Sequence, residues 1–227
     1  AYPSMAEISG QGNTLGDALK FYGIVNDATL VAAEAEASAA GIGLATVLVR
    51  AGHATEEEIA TAWSEVSRYP VEAFDPLLVE DEVRELVDAG LARKFGVFPL
   101  GQSKAGLNLA VAEPLDEAAE AELRAALKPA ISFAIAPASD VSFGLRFAWD
   151  RTALEPDLRA SRILRRLALA DDEQIAAIWM GIRRVSEAGE APFDFIRIAR
   201  ESGIVSDADW KILVDSQPEL ALDASAS

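Results

Sequence analysis

"GIVNDATL" at residues 23–30 and "GIVSDADW" at residues 203–210 agree at five of eight positions, although 180 residues separate them. Ahead of the first phrase, Leu15, Ala18, Leu19 and Tyr22 keep the i, i+3, i+4, i+7 spacing of an amphipathic helix. Gly23 falls where a helix ends on a left-handed residue, and Ile24 and Val25 then turn into the core. Asn26 is a favoured N-cap for a second helix carrying Leu30 and Val31. The phrase reads as the bend of an αα-hairpin.

Aligning on that bend exposes four copies. The second is "GLATVLVRAGHATEEEIATAWSEV", bending at Gly52; the third is "RASRILRRLALADDEQIAAIWMGI", where Ala168 replaces the glycine; the fourth is "DFIRIARESGIVSDADWKILVDSQ", bending at Gly203. The expected N-caps are Asn26, Thr55, Asp171 and Ser206. Three residues on come Thr29, Glu58, Gln174 and Asp209, so that Thr55/Glu58 and Asp171/Gln174 form capping boxes. The apolar anchors that follow are Leu30, Ile59, Ile175 and Trp210.

Between the pairs the pattern changes. "FGVFPLG" and "GLNLAVAEPLD" contain short β-type runs with Gly106 suited to the turn between them. "LDEAAEAELRAAL" is a helix that Pro129 stops, and "AISFAIAPASD" reads as another strand. "SDVSFGLRFAWD" starts a further helix capped by Ser139 or Asp140. The expected fold class is α+β: helical hairpin repeats flanking a small mixed α/β sandwich. The expected domains are 1–69, a helical hairpin pair; 70–150, the α/β part, with Pro76 and Pro156 near its boundaries; and 151–227, a second hairpin pair with a frayed tail, "ALDASAS".

The chain has 227 residues, 51% of them hydrophobic, no cysteine and a net charge of −17. Disulfides and thiolate metal sites are excluded, and no apolar run reaches the ~20 residues of a membrane span. An opening at Ala1 without Met suggests a fragment or a processed product. Such an acidic surface repels DNA, RNA and anionic lipid unless its basic residues are segregated. Nine of the 20 Lys and Arg lie between Arg151 and Arg200, and Arg159, Arg162, Arg165 and Arg166 can share a helical face. That face reads either as a solvated flank balancing acidic neighbours or as an anion site.

Residues 14 to about 150 resemble the N-terminal domain of type II secretion and pilus ATPases, the GspE-N or MshEN family. The likeness rests on "LGDALKFYGIV" with its following Leu30, on "LVRAGHATEEEIATAW", and on "LARKFGVFPLG" followed by "LNLAVAEPLD". The resemblance implies a regulatory and docking module attached to a larger machine. It also implies, for some members, cyclic di-GMP binding through two motifs of the form R-L-G-x-x-L-L-x-x-G-L-L-x-x-x-x-L-x-x-x-L-x-x-Q. There the leading Arg and closing Gln engage guanine and apolar residues pack the dinucleotide, contacts that suit a guanidinium and an amide.

The carried-over ligand candidates are Leu15, Gly16, Leu19 and Gly23 in the first motif, and Leu44, Leu48 and Gly52 in the second. Arg159 and Arg166 join them from the basic cluster. The match departs at its polar ends: Thr14 and Gly43 stand in place of Arg, and Ala37 and Val66 in place of Gln. The third copy keeps Arg159, and the fourth keeps Gln217. The hydrophobic skeleton thus survives without its ligand-reading tips, which implies weak cyclic di-GMP binding or none at the first two motifs.

No "G-x-x-x-x-G-K-[ST]" loop is present, so an ATPase is not implied. The family domain also occurs at the cytoplasmic C-terminus of membrane glycosyltransferases of the phage-adsorption type, and "AYPSMAE" resembles the lead-in found there. This implies a cytoplasmic module at the inner face of the membrane, with the parent chain's catalytic domain or another assembly protein as partner.

Catalytic signals are poor. His53 is the sole histidine and reads as a partly buried turn residue. "TEEEIA" and "LDEAAEAE" read as solvated helix starts that complement the helix dipole. "GQGNTLG" and "GIGLAT" imitate dinucleotide loops, yet neither follows a strand to open a β-α-β unit. Trp63, Trp149, Trp179 and Trp210 fall on apolar faces and read as core. No catalytic residue, metal site or obligatory cofactor is assigned. Three readings stand: a non-catalytic docking module with degenerate cyclic di-GMP motifs, a functional cyclic di-GMP sensor, and an enzyme with an unrecognised carboxylate site.

Overall fold

A computed structural model of the chain describes residues 14–187 and 195–216; "AYPSMAE", "ALDASAS" and Gln217 lie outside those residues. The fold is α+β, and the chain divides between Leu145 and Arg146 into two compact units.

The first unit opens with α1 (Leu15–Phe21), α2 (Asp27–Ala40), α3 (Leu44–Arg50) and α4 (Glu56–Ser67). Leu15, Leu19, Leu30, Val47, Leu48 and Ile59 close a core among them. Tyr22, expected on the apolar stripe, instead ends α1 as its C-cap and is largely exposed. The tight packing runs between motifs, α1 on α4 and α2 on α3, so each bend is open where a closed hairpin was expected. The reason is local. A left-handed residue followed by an extended N-cap, such as Asn26 at ψ 171°, carries the second helix away from the first.

All four bends place a left-handed residue at the same point. Gly23, Gly52 and Gly203 have φ of 69°, 69° and 73°, and Ala168 takes the same conformation at 54° without being glycine. At the first, Gly23 N donates to Lys20 O and Ile24 N to Leu19 O, both at 2.9 Å, the paired bonds of a Schellman turn. Gly52 and His53 repeat them onto Val49 and Leu48, and Ala168 and Leu169 onto Arg165 and Leu164. Asn26 accepts from Thr29 N, while Thr55/Glu58, Asp171/Gln174 and Ser206/Asp209 are complete capping boxes. Burial keeps the same register: Leu19, Leu48, Leu164 and Ala199 before the bend, then Val25, Ala54, Ala170 and Val205 after it.

The rest of the first unit holds α5 (Asp81–Arg84), α6 (Ala89–Phe95), β1 (Val97–Ser103), β2 (Gly106–Val111), α7 (Glu117–Ala126), β3 (Ile131–Ile135) and α8 (Ala138–Phe147), whose last two residues lie past the division. The sheet order is β1-β2-β3, with β1 and β2 antiparallel and β2 and β3 parallel, α7 forming the crossover. Gly106 is the first residue of β2, not part of the turn, which Lys104 and Ala105 make. Gly144 lets α8 approach the sheet, since a Cβ there would lie 2.7 Å from the Phe98 ring.

Register shifts in β1 between Pro99 and Gly101. On the far side, Ile135 N donates to Pro70 O and Glu72 N to Ile135 O, at 2.8 and 2.9 Å, and Arg124 Nη1 donates to Ile131 O at 2.8 Å. The helical and sheet-bearing parts are thus tied together around residue 70. Ser139 and Asp140 do not cap α8, which starts after Pro137 with Asp140 N and Val141 N both on Pro137 O. Buried Ser139 donates its hydroxyl to Glu56 Oε2 at 2.5 Å, a partner in the first turn of α4. That carboxylate is therefore bonded, not merely solvated.

The second unit carries a 3-10 turn (Thr152–Leu154), α9 (Glu155–Arg166), α10 (Asp172–Glu187), α11 (Phe195–Glu201) and α12 (Asp207–Ser216). Pro156 sits in the first turn of α9, where a missing N–H costs nothing. Both α9 and α10 pack on α11. Asp157, buried on α9, accepts from Phe195 N at 2.7 Å, and the Phe195 ring lies 5.1 Å from Trp179.

Candidate functional site

The expected ligand positions of the first two motifs are occupied by folding chemistry. Thr14, in the leading position, is the N-cap of α1: its hydroxyl accepts from Asp17 N at 3.2 Å and donates to Asp17 Oδ2 at 2.8 Å. The Thr14 hydroxyl, its backbone N–H and then Lys20 hold the Asp17 carboxyl below the usual range, slight burial opposing them. Gly43 caps α3 with no side chain to offer. At the closing position, Ala37 is buried and Val66 packs half-buried on the same core.

The apolar candidates fare similarly. Leu15, Leu19 and Leu48 are sealed in the core, and Leu44 is half-buried. Gly16 is small because Leu30 lies on it; a Cβ there would come within 2.9 Å of Leu30 Cδ2. Gly23 and Gly52 are exposed and shaped by the bend.

In the second unit, Arg159, Arg162 and Arg166 project from one face of α9 and, with Ile163, line an open groove of about 260 Å³. Arg162 is held by Glu155 at 2.6 Å, while Arg165 turns to Asp172 at 2.7 Å and leaves the set. Arg159 and Arg166 are exposed and have no carboxylate partner among the described residues. Arg159 also differs from its counterparts in position. Thr14 and Gly43 are N-caps, whereas α9 begins four residues before Arg159 and places it inside the helix.

A cluster near the end of α4 escaped the sequence reading. Tyr69 donates to Glu120 Oε2 at 3.0 Å, and Arg124 reaches Glu120 Oε1 at 2.6 Å while its guanidinium lies over Phe133. Burial, then the bond to Glu120, pushes the Tyr69 hydroxyl up; Arg124 foremost holds Glu120 down. Glu120 and Arg124 are legible as an i, i+4 pair, but nothing local marks Tyr69, 51 residues away. His53 is exposed, not partly buried, because its backbone closes the bend while its ring projects outward. Trp179 is core; Trp63 and Trp210 are half-buried, the latter under Arg200 at 5.3 Å. Among the described residues no group of three acidic or histidine side chains is placed to hold a metal, and no helix is long and apolar enough to cross a membrane.

The three-stranded sheet, its crossover helix and the α8 that covers it coincide with a known domain. Residues 67–146 match the MshEN domain. The MshEN match begins at the last residue of α4, so the four N-terminal helices lie before it. The solved structure of MshE with cdg is similar at 26% identity and a TM-score of 0.50, covering 59% of this chain and 96% of that one. The N-terminal domain of XpsE is 24% identical with a TM-score of 0.46, covering 64% of this chain and 96% of that one. No curated protein matches the chain.

Proposed function

We propose that this chain is a non-catalytic regulatory or docking module of a larger membrane-associated machine, a secretion system or a membrane glycosyltransferase, with cyclic di-GMP motifs converted to structure. The observation that carries this reading is the state of the motif's polar ends: Thr14 closes a capping box, and Ala37 and Val66 serve the core. The MshEN match supports the module, and the likeness to MshE with cdg, taken as cyclic di-GMP, supplies the ligand to test. The module sits at the cytoplasmic face through its parent, its partner being the parent's catalytic domain or another assembly protein. DNA and RNA are poor partners for a chain of net charge −17.

A charged contact and an amide contact to a dinucleotide are each worth about 1–3 kcal/mol, so losing both reduces affinity by orders of magnitude. Calorimetry with cyclic di-GMP at physiological salt is expected to show no sub-micromolar binding. Such binding, lost in Arg159→Ala or Arg166→Ala, would replace the docking reading with a sensor, the alternative favoured by the arginines on α9. Transmembrane helices and glycosyltransferase motifs in the reading frame upstream of Ala1 would identify the parent; their absence would favour a secretion system.

A further inference from the structure

We infer that the α9 groove is a binding site for a small phosphate-bearing anion, distinct from the residues that match MshEN. Arg159, Arg162 and Arg166 stand at i, i+3 and i+7 on one face, spanning about 10 Å of helix axis. Like charges at these spacings repel, and the local acids do not relieve the repulsion evenly. Glu155 takes Arg162, Asp172 takes Arg165, and the outer pair, Arg159 and Arg166, is left without a carboxylate. This occurs in a chain with 37 acidic against 20 basic residues, where neutralising partners are abundant. The helix dipole accounts for Arg165 and Arg166, which lie in the last turn, but not for Arg159.

The groove's charge selects the ligand class. The groove is open and its described lining is α9 alone, so the three guanidiniums, rather than the volume of about 260 Å³, favour a compact anion such as a phosphoryl group or diphosphate. Ile163, nearly buried, contributes an apolar wall between the forks. Guanidinium groups pair with phosphate oxygens in two parallel bonds, a geometry that ammonium groups cannot reproduce. The opposite side of α9 is buried through Ala160 and Leu164, which fixes the helix and therefore the spacing of the arginines.

Titrating the whole chain with inorganic pyrophosphate in low salt tests the site. Binding in the micromolar to sub-millimolar range is expected, weakening as salt rises. Arg159→Gln and Arg166→Gln should each reduce affinity about tenfold, and the double variant should abolish it, with circular dichroism unchanged. Arg50→Gln, an exposed arginine of the first unit, should bind as the parent does. Arg159→Lys should recover less than half of the lost binding free energy. No binding at millimolar pyrophosphate would overturn the proposal, as would equal loss in the Arg50 variant. Citrate binding as tightly as pyrophosphate would overturn the phosphate assignment. Capture by phosphatidylglycerol vesicles that pyrophosphate does not reverse would instead make the arginines a membrane contact and also defeat it.

Discussion

The four helices that open the first unit and the four of the second share one bend, yet they handle polar residues in opposite ways. In the first set the motif's variable ends are absorbed: a cap at Thr14, core at Ala37, a bare glycine at Gly43. In the second set the bend and caps are retained, but α9 starts earlier and turns three arginines toward one groove. The bend is therefore a structural constant on which surface chemistry varies independently.

The strongest way to break that comparison is through the core. Leu48 and Leu164 occupy equivalent places before their bends and are fully buried, so replacing either with Ala should cost about 2–5 kcal/mol. Leu48→Ala should lower the calorimetric transition of the first unit and Leu164→Ala that of the second; one shared transition, shifted alike by both, would erase the distinction between units.

The next effect tests the bends themselves. A Cβ at Gly52 would meet nothing within 4 Å, so Gly52→Ala meets only the backbone penalty of about 1–2 kcal/mol, roughly 0.5–1 kcal/mol net of the stiffer unfolded chain. Ala168 already bears that penalty at φ 54°, and Ala168→Gly should stabilise by roughly 0.5–1 kcal/mol after the extra freedom of the unfolded chain is deducted. Chemical denaturation showing the same sign for both would remove Ala168 from the series. The caps come next: Thr55→Ala and Asp171→Ala should each cost about 1 kcal/mol, and unequal losses would rank the two boxes.

The smallest effect is acid sensitivity of the first unit. Asp17 and Glu120 both have folded pKa values below the ordinary range. Their contributions are therefore present above the unfolded carboxylate value and lost as pH falls through the folded one, below about pH 4. Tyr69 is shifted upward, so its contribution is lost as pH rises past about 10. Tyr69→Phe should shrink the alkaline limb of a stability–pH curve, with Tyr22, also shifted upward by burial and by Glu65, keeping part of it, and leave most of the acid one.

The bends, caps and α+β class were legible because each is decided within about ten residues: Gly23 and Asn26 carry their own backbone preferences. Copy three was legible only by register, since Ala168 does not announce a left-handed conformation and adopts it because Leu164 and Ala170 on either side are buried. What the sequence left open were choices between a local and a distant partner. Ser139 is as good a cap as Ser206, yet it bonds Glu56, 83 residues away. The open packing of α1 on α4 was hidden for the same reason: a single amphipathic stripe does not say which neighbour it meets. For the candidate site, spacing placed Arg159, Arg162 and Arg166 together but could not remove Arg165, whose direction depends on Asp172.

The sheet has three strands and hence two rims, and both are blunted. On one, Pro99 lacks an N–H and the pairing slips before Gly101. On the other, the segment around Val71 and the Arg124 guanidinium already occupy Ile135 and Ile131. Another strand, from a neighbouring copy or an extended peptide, would meet a missing donor and a register slip on one rim and occupied groups at Ile131 and Ile135 on the other. Strand addition is correspondingly disfavoured at these positions.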